Sequence, residues 1–232
     1  FSTHTVYNFN WARDLSATLR LNGSYGTATK LPNHYENNAN VVVGRTALKP
    51  EHSKNLELGL TGDYEWGDVE LKLYKSKLTD AFIYNGDNYP LDYYTNGGIV
   101  NTQGAELSLG TEFLGWDVDS SIDFNKAIAA STDLQKGRRP NRSISLNLAK
   151  TSGKWKRNIN WTAKSWAWDR DDHLNNVKLG GYGLLNLSTS YDFTENLTVY
   201  LNRNNVLDKE YEMASGYKTL GKTSTLGLTY TF

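Results

Sequence analysis

The stretch that decides the fold is residues 216–232, GYKTLGKTSTLGLTYTF, at the end of the chain. Gly216, Gly221, Lys222 and Thr223 match the phosphate-binding pattern G-x-x-x-x-G-K-[ST]. A loop of that kind must open a helix, because its backbone N–H groups and the helix N-terminus converge on the phosphates. The residues that follow Lys222 therefore decide whether the motif is real.

A strand pattern, and no helix pattern, follows Lys222. Apolar side chains alternate with threonine or glycine at a period of two, and the apolar ones are Leu226, Leu228, Tyr230 and Phe232. This alternation predicts a β-strand with one apolar face. The nucleotide-binding interpretation is rejected, and the apolar face that ends on Phe232 becomes the feature to explain.

Composition narrows the class of protein. The 232 residues carry 25 basic and 25 acidic side chains, so no basic footprint argues for nucleic acid. Cysteine is absent, which removes disulfides and cysteine metal sites. No apolar run reaches the length of a membrane-spanning helix, but a membrane β-barrel needs only every second residue to be apolar.

The same alternation recurs along almost the whole chain, as in Leu56, Leu58 and Leu60, and no helix pattern interrupts it. About eleven such segments occur, each near the nine to eleven residues that a tilted transmembrane strand requires. One segment loses its phase at Lys75–Lys77, where we expect a β-bulge.

Connections of two lengths alternate between these segments. The short ones lie at residues 13–15, 66–68, 114–116, 152–154 and 194–196; the long, polar ones span roughly 27–53, 85–98, 128–141, 168–181 and 206–221. Strict alternation is typical of an up-and-down barrel with tight turns at one rim and loops at the other. We therefore predict one all-β domain over residues 1–232, an antiparallel transmembrane β-barrel with about 10–12 strands in this chain.

Aromatic residues cluster near the two rims of the predicted barrel. Near the short turns lie Trp11, Trp66, Trp116, Trp155, Phe193 and Phe232; toward the long loops lie Tyr25, Tyr84, Trp166, Trp168 and Tyr182. Two such girdles are expected where a barrel crosses both interfaces of a bilayer.

The strand count carries a further expectation. Eleven strands place the two chain ends at opposite rims, whereas bacterial single-chain barrels have an even number of strands. An open sheet edge cannot sit in lipid, because its N–H and C=O groups would be unsatisfied. We expect either further strands, a miscount by one, or a chain rebuilt to close.

Several segments, in order, resemble the TonB-dependent outer-membrane receptors. They are Tyr25–Asn33 (YGTATKLPN), Leu48–Glu57 (LKPEHSKNLE), Asn96 with Gly104 and Glu106, Arg139-Pro140, and Asn205–Tyr211 (NVLDKEY). Each motif is weak alone, and the ordered set spans nearly the whole chain. The last loop, with Tyr211-Glu212, Gly216-Tyr217, Thr219 and Gly221-Lys222, resembles the cobalamin-receptor branch.

The resemblance implies a 22-stranded barrel of which this chain covers about the C-terminal half, without the N-terminal plug that engages TonB. It also implies a bacterial outer-membrane location and uptake of a bulky nutrient, either cobalamin, a ferric siderophore or haem. The implied partners are the bilayer with its lipopolysaccharide, the nutrient, TonB through a plug alone, and the barrel assembly machinery, which would recognise Leu226, Leu228, Tyr230 and Phe232. Neither a cofactor nor nucleic acid is implied.

The long loops carry the candidate ligand contacts, because aromatic rings offer rigid contact area and arginine pairs with anionic chelates. The candidates are His34, Tyr35, Arg45, Tyr89, Tyr93, Trp168 and Asp172. Asp169, Asp171 and Asp172 offer oxygen ligands for Ca²⁺, but no glycine turn accompanies them. The four histidines show neither metal-ligand nor catalytic spacing, so we predict no enzyme and no metal site.

Arg203 departs from the family pattern, since the resemblance places an apolar lipid-facing residue there. An arginine near mid-bilayer costs about 2–4 kcal/mol and close to nothing at the interface, so either Arg203 lies near a rim or the wall is altered. Two other interpretations stay open: a stand-alone passive pore or engineered smaller barrel, and a soluble β-sandwich binding module.

Overall fold

A computed structural model describes residues 3–42, 44, 46–85, 93–130, 134–135, 137–171 and 175–232. The strands are β1 (Asn8–Asp14), β2 (Leu19–Lys30), β3 (Glu51–Tyr64), β4 (Gly67–Asn85), β5 (Tyr93–Phe113), β6 (Trp116–Ala129), β7 (Leu134–Gln135), β8 (Arg142–Ser152), β9 (Trp155–Lys164), β10 (Ala167–Arg170), β11 (Asn176–Leu179), β12 (Tyr182–Asp192), β13 (Leu197–Asn204), β14 (Glu212–Ala214), β15 (Tyr217–Lys218) and β16 (Thr223–Tyr230). The helix α1 spans His34–Val42.

One antiparallel sheet dominates the fold. Its strands follow the chain in the order β1-β2-β3-β4-β5-β6-β8-β9-β12-β13-β16, and the short β7 adds to β6. The hairpins β10–β11 and β14–β15 stand apart from it. The predicted antiparallel up-and-down order and the eleven main strands are confirmed. Over the described residues the sheet ends at β1 and β16, with no pairing between them.

Three details differ from the sequence prediction. The strands β4 and β5 contain 19 and 21 residues, about twice the expected length, because they continue past the barrel wall as a protruding hairpin. The bulge lies between Leu78 and Ala81, just beyond the expected position, with Asp80 in the left-handed region at φ 56°. The third difference is α1, in a stretch where no helix was expected.

The sheet has two chemically distinct faces. On the outer face Leu60 pairs with Leu71, and Leu71 pairs with Leu107. On the inner face the hydroxyl of Tyr74 donates to Asp123 Oδ1 at 3.2 Å. Successive residues of a strand alternate between these faces.

The apolar face is not a dry core. Leu187, Leu201 and Leu228 are 36%, 38% and 68% exposed, and the buried apolar residues among those described are mostly alanines. A sandwich would bury such a face against a second sheet. The soluble-sandwich interpretation is therefore wrong.

The short-turn rim carries the aromatic residues that the sequence placed there. Trp11 lies across Gly23 of the neighbouring strand, where any Cβ would come within 2.7 Å of its indole. Trp155 and Phe193 flank Tyr191, with ring centroids 4.8 Å from it on each side. Trp116 is half-buried, and the Lys150 ammonium lies 5.7 Å from its ring.

The glycine-rich end of the chain contains no phosphate-binding loop. The backbone N–H of Lys222 donates to the Asp208 carboxylate at 2.7 Å, and β16 begins at Thr223. An N–H group already held by a carboxylate does not cradle a phosphate. Upstream, Arg203 shares the face of Leu187 and is exposed, one residue from the end of β13, which favours the rim position over an altered wall.

Candidate ligand-binding mouth

The loops at the long-loop rim are held by single polar side chains that reach between distant segments. Helix α1 starts with a capping box: Asn33 Oδ1 accepts from the N–H of Glu36 at 2.8 Å, and Glu36 Oε2 accepts from the N–H of Asn33 at 2.7 Å. Lys30, at the end of β2, lies 3.5 Å from Glu36 and 3.4 Å from Glu51. These contacts fix the helix over the rim.

Asn40 then joins α1 to the top of β5. Its side chain is 2% exposed, and it both accepts from the N–H of Tyr94 at 2.7 Å and donates to the C=O of Tyr94 at 2.9 Å. Its amide also reaches the C=O of Thr46 at 3.3 Å. The amide takes the place of a β-ladder partner, which satisfies backbone groups that would otherwise be buried unpaired.

Asn96 makes a second clasp of the same kind. Its Nδ2 donates to the carbonyls of Lys49 and Asp80, each at 2.8 Å, while its Oδ1 accepts from the N–H of Lys49 at 2.7 Å. One side chain thus connects the loop before β3 to the bulge of β4. This is the asparagine that the family resemblance singled out.

A pocket of about 750 Å³ opens at the same rim, beside the upper parts of β4 and β5. Its wall is formed by Ile83, Ile99 and Val100 from β4 and β5, together with Arg138 from the loop after β7 and Trp168 and Asp169 from β10. The volume lies in the range of typical ligand sites, which are largely apolar with a few polar groups that fix orientation.

Asp169 fastens three loops at this pocket. It is 7% exposed; one carboxylate oxygen accepts from Arg138 Nε at 2.9 Å, and the other accepts from the N–H of Ser215 at 2.7 Å. Arg138 lies between β7 and β8, Asp169 on β10 and Ser215 between β14 and β15. Loss of this one carboxylate would remove the contact to Ser215 and would leave the Arg138 segment tied to β10 by the bond from the Arg138 N–H to the C=O of Trp168.

Electrostatics keep Asp169 ionised. Burial raises its pKa, but the N–H donors of Ser215 and Arg170 and the guanidinium of Arg138 outweigh burial and hold the pKa below its ordinary value. Arg138 remains 59% exposed while its Nε contacts Asp169, so the rest of the guanidinium is accessible to a ligand in the pocket.

The structure brings one of the predicted ligand contacts into this pocket, Trp168. Its ring makes an edge contact with Trp166 at 5.5 Å. His34 and Tyr35 lie exposed on the first turn of α1, and Tyr35 meets the ring of Tyr94 at 6.4 Å. Tyr93 opens β5, half-buried and opposite Asn85 in the ladder.

Arg45, Tyr89 and Asp172 lie outside the described residues. The sequence prediction missed Arg138 and the isoleucines of the pocket wall, because no local pattern marks a loop arginine that meets its partner 31 residues later. The left-handed backbone of Arg138, at φ 59°, is visible only in the structure.

A Ca²⁺ site does not form among the aspartates that are described. Asp169 is held by Arg138 and Ser215, and Asp171 accepts from the N–H of Asn175 at 2.9 Å and from its side-chain amide at 3.2 Å. Within the described ranges, no three His, Asp or Glu side chains are grouped as metal ligands. Likewise, no helix in those ranges is long and apolar enough to span a membrane.

Comparisons with known proteins agree with this fold. The family model described as "TonB dependent receptor-like, beta-barrel" matches residues 2–206. The vitamin B12 transporter BtuB of Photobacterium profundum is 28% identical over all of this chain and 38% of its own length.

Solved structures agree in fold at low identity. The siderophore receptor PirA of Acinetobacter baumannii superposes with a TM-score of 0.82 at 17% identity, over 98% of this chain and 41% of the receptor. The ferripyoverdine receptor of Pseudomonas aeruginosa, bound to ferripyoverdine, gives 0.77 at 18% identity, over 96% of this chain and 32% of the receptor. The chain spans less than half the length of each of these proteins.

Proposed function

The chain belongs to the TonB-dependent receptor-like β-barrel family, and from that premise we propose that it forms the outer mouth and part of the wall of a transporter for a bulky nutrient. It is a transport-receptor segment of the bacterial outer membrane and not an enzyme. By the family's organisation TonB acts through a plug domain, so the role of these 232 residues is to capture the nutrient and to enclose its path.

One observation carries the proposal: the pocket at the long-loop rim, with Asp169 fastening its three loops. Longer loops face the cell exterior in outer-membrane barrels, so the pocket faces the side from which a nutrient arrives. Trp168 supplies a rigid ring, and Arg138 supplies a cation for the anionic groups of a chelate.

Cobalamin is the first ligand to test, because the B12 transporter matches the full length of this chain and the sequence of the last loop resembles the cobalamin branch. Ferric siderophores and haem are the competing ligands. Equilibrium titration with cyanocobalamin, a ferric catecholate, a ferric hydroxamate and haemin should single out one with strong saturable binding. Equally weak binding of all four would contradict the proposal.

The aromatic residues near the short turns are proposed as the girdle at the inner interface. They are Trp11, Trp66, Trp116, Trp155, Phe193 and Phe232. Five of them are at least 40% exposed, and the indole of a tryptophan at headgroup depth keeps its apolar body in lipid and its N–H in water.

We further propose that the outward side chains of β16, together with Phe232, form the signal for the barrel assembly machinery. All four residues of that stripe, Leu226, Leu228, Tyr230 and Phe232, are exposed. Substitution F232A should lower the heat-modifiable, folded fraction in membranes, whereas T231A should leave it unchanged. Equal folded fractions would remove the assembly role and leave the uptake proposal intact.

A further inference from the structure

Above the apolar band, the outer face of β3–β6 carries four lysines. Leu56 pairs with Lys75, Lys75 with Gln103, and Gln103 with Lys126. One step further from the short turns, Lys54 pairs directly with Lys77. We call Lys54, Lys75, Lys77 and Lys126 the lysine patch.

The lysine patch and the acidic side chains of these four strands lie on opposite faces, while Lys72 shares the inner face with Glu70. The lysine patch lies on the face of Leu71 and Leu107, and all four of its side chains are exposed. The acids of the same strands, such as Glu106 and Asp123, alternate onto the opposite face, where Asp123 meets Tyr74. Among the described residues, no ion pair joins a patch lysine to an acid.

The height of the patch matches a headgroup layer. The lysines lie eight to ten residues from the turn ends of their strands at Tyr64, Gly67 and Trp116. At about 3.3 Å per residue along a strand tilted by about 40°, this is about 20–25 Å above the short-turn rim, the top of an apolar band about 25 Å tall. The residues below them on this face, such as Leu58 and Phe124, are uncharged.

The direct pairing of Lys54 with Lys77 needs an explanation, since like charges opposite each other destabilise a sheet. Lys75 adds a third ammonium on the same face two residues from Lys77. A dianionic phosphate between them turns this repulsion into charge-assisted hydrogen bonds. Gln103 and Asn101, also exposed on this face, offer further amide donors.

We propose that the lysine patch binds the phosphate groups of a phosphorylated lipid in the outer leaflet. The lipid's acyl chains would lie along the leucines below, and its headgroup would meet the ammonium groups. This inference rests on the outer-membrane placement and is independent of the nutrient that the mouth binds.

The test compares the protein with its K54Q/K77Q variant in detergent micelles, using diphosphoryl lipid A and a phosphate-free counterpart with the same acyl chains. Wild-type protein should bind the diphosphorylated lipid at least about tenfold more tightly than the counterpart, given the usual contribution of each near-surface lysine. The variant keeps Lys75 and Lys126 and should retain only a smaller preference. Without lipid, the variant should melt no earlier than wild type, because the opposed like charges are gone.

A matched control exists at the other rim. Lys150 pairs with Arg157 on the same outer face, close to the short turn, and Lys150 Nζ donates to the C=O of Leu114 at 2.8 Å. The K150Q/R157Q variant removes two outward cations but should keep the full preference for diphosphorylated lipid. Inorganic phosphate alone should not shift the melting temperature.

Three results would overturn the inference: equal binding of the two lipids, an undiminished preference in K54Q/K77Q, or equal stabilisation by free phosphate. Nutrient titration of K54Q/K77Q separates this proposal from the uptake proposal. The variant should bind the nutrient as wild type does, and failure of one proposal leaves the other standing.

Discussion

The wall and the mouth of this barrel are held together in different ways. In the wall, residue after residue of β3, β4 and β5 pairs in continuous antiparallel register. In the mouth, Asn40, Asn96 and Asp169 each bind a segment with which their own strand or helix shares no ladder. The wall is built from a repeated interaction, whereas the mouth depends on a few contacts that occur once.

This difference separates stability from recognition. A ladder of many equivalent hydrogen bonds tolerates the loss of one. Every outward side chain of the wall, however, must be compatible with contact to lipid. A loop held by a few single contacts can be loosened without disturbing the wall. The predicted consequences below run from the largest expected effect to the smallest.

A charge on the outer face of the wall should have the largest effect. Leu71 lies four residues beyond the start of β4, near the middle of the apolar band. We expect L71R to lower the free energy of unfolding by about 2–4 kcal/mol, because the guanidinium faces acyl chains. Denaturant titration of the two proteins in lipid bilayers measures this change in the free energy of unfolding. The control S108R places the same charge on the inner face, opposite Glu70, and should cost far less.

Removal of the fastening carboxylate should affect the mouth alone. We expect D169A to weaken nutrient binding about tenfold, in line with the loss of buried charge-assisted hydrogen bonds, and to speed proteolysis of the outer loops. Wall stability should stay within about 0.5 kcal/mol of wild type. The control D171A alters a carboxylate that binds Asn175 of its own hairpin. Equal effects of the two variants would contradict the fastening role.

The same carboxylate predicts a pH dependence. The pKa of Asp169 is lower in the folded protein than in the unfolded chain. Its contribution to the stability of the mouth is therefore complete above the ordinary aspartate pKa of about 3.9. That stability is lost as the pH falls through the lower pKa of the folded state. Trp168 fluorescence should therefore change only below about pH 4. D169N should lack this transition, and a wild-type midpoint above pH 4 would contradict the account.

The cap of α1 should give the smallest effect. N33A removes the acceptor for the N–H of Glu36 and should destabilise the helix by about 1 kcal/mol. The amides of α1 should then exchange hydrogen about fivefold faster, with the wall amides unchanged. H34A, one residue further on and exposed, is the control. Unchanged hydrogen exchange of the α1 amides in N33A would show that the Asn33 cap does not stabilise the helix.

The wall could be predicted from the sequence, because lipid on one side and water on the other impose a period of two on every strand. Leu56, Leu58 and Leu60 showed it without knowledge of their partners. The mouth was largely missed, since Arg138 and Asp169 meet only after two loops have folded. Helix α1 did leave a signal, Asn33 followed three residues later by Glu36, but its short polar sequence shows no apolar period.

The central claim is that the leucine face meets lipid and the asparagine and acid face does not. The chain lacks cysteine, so single spin labels can be placed at Leu58 and Leu107 on one face and at Ser108 and Asn186 on the other. In bilayers, oxygen should relax the labels at the leucine positions strongly and a water-soluble nickel chelate should relax them weakly, with the reverse at Ser108 and Asn186. Labels at Leu58 and Leu107 that are relaxed mainly by the nickel chelate would contradict the account.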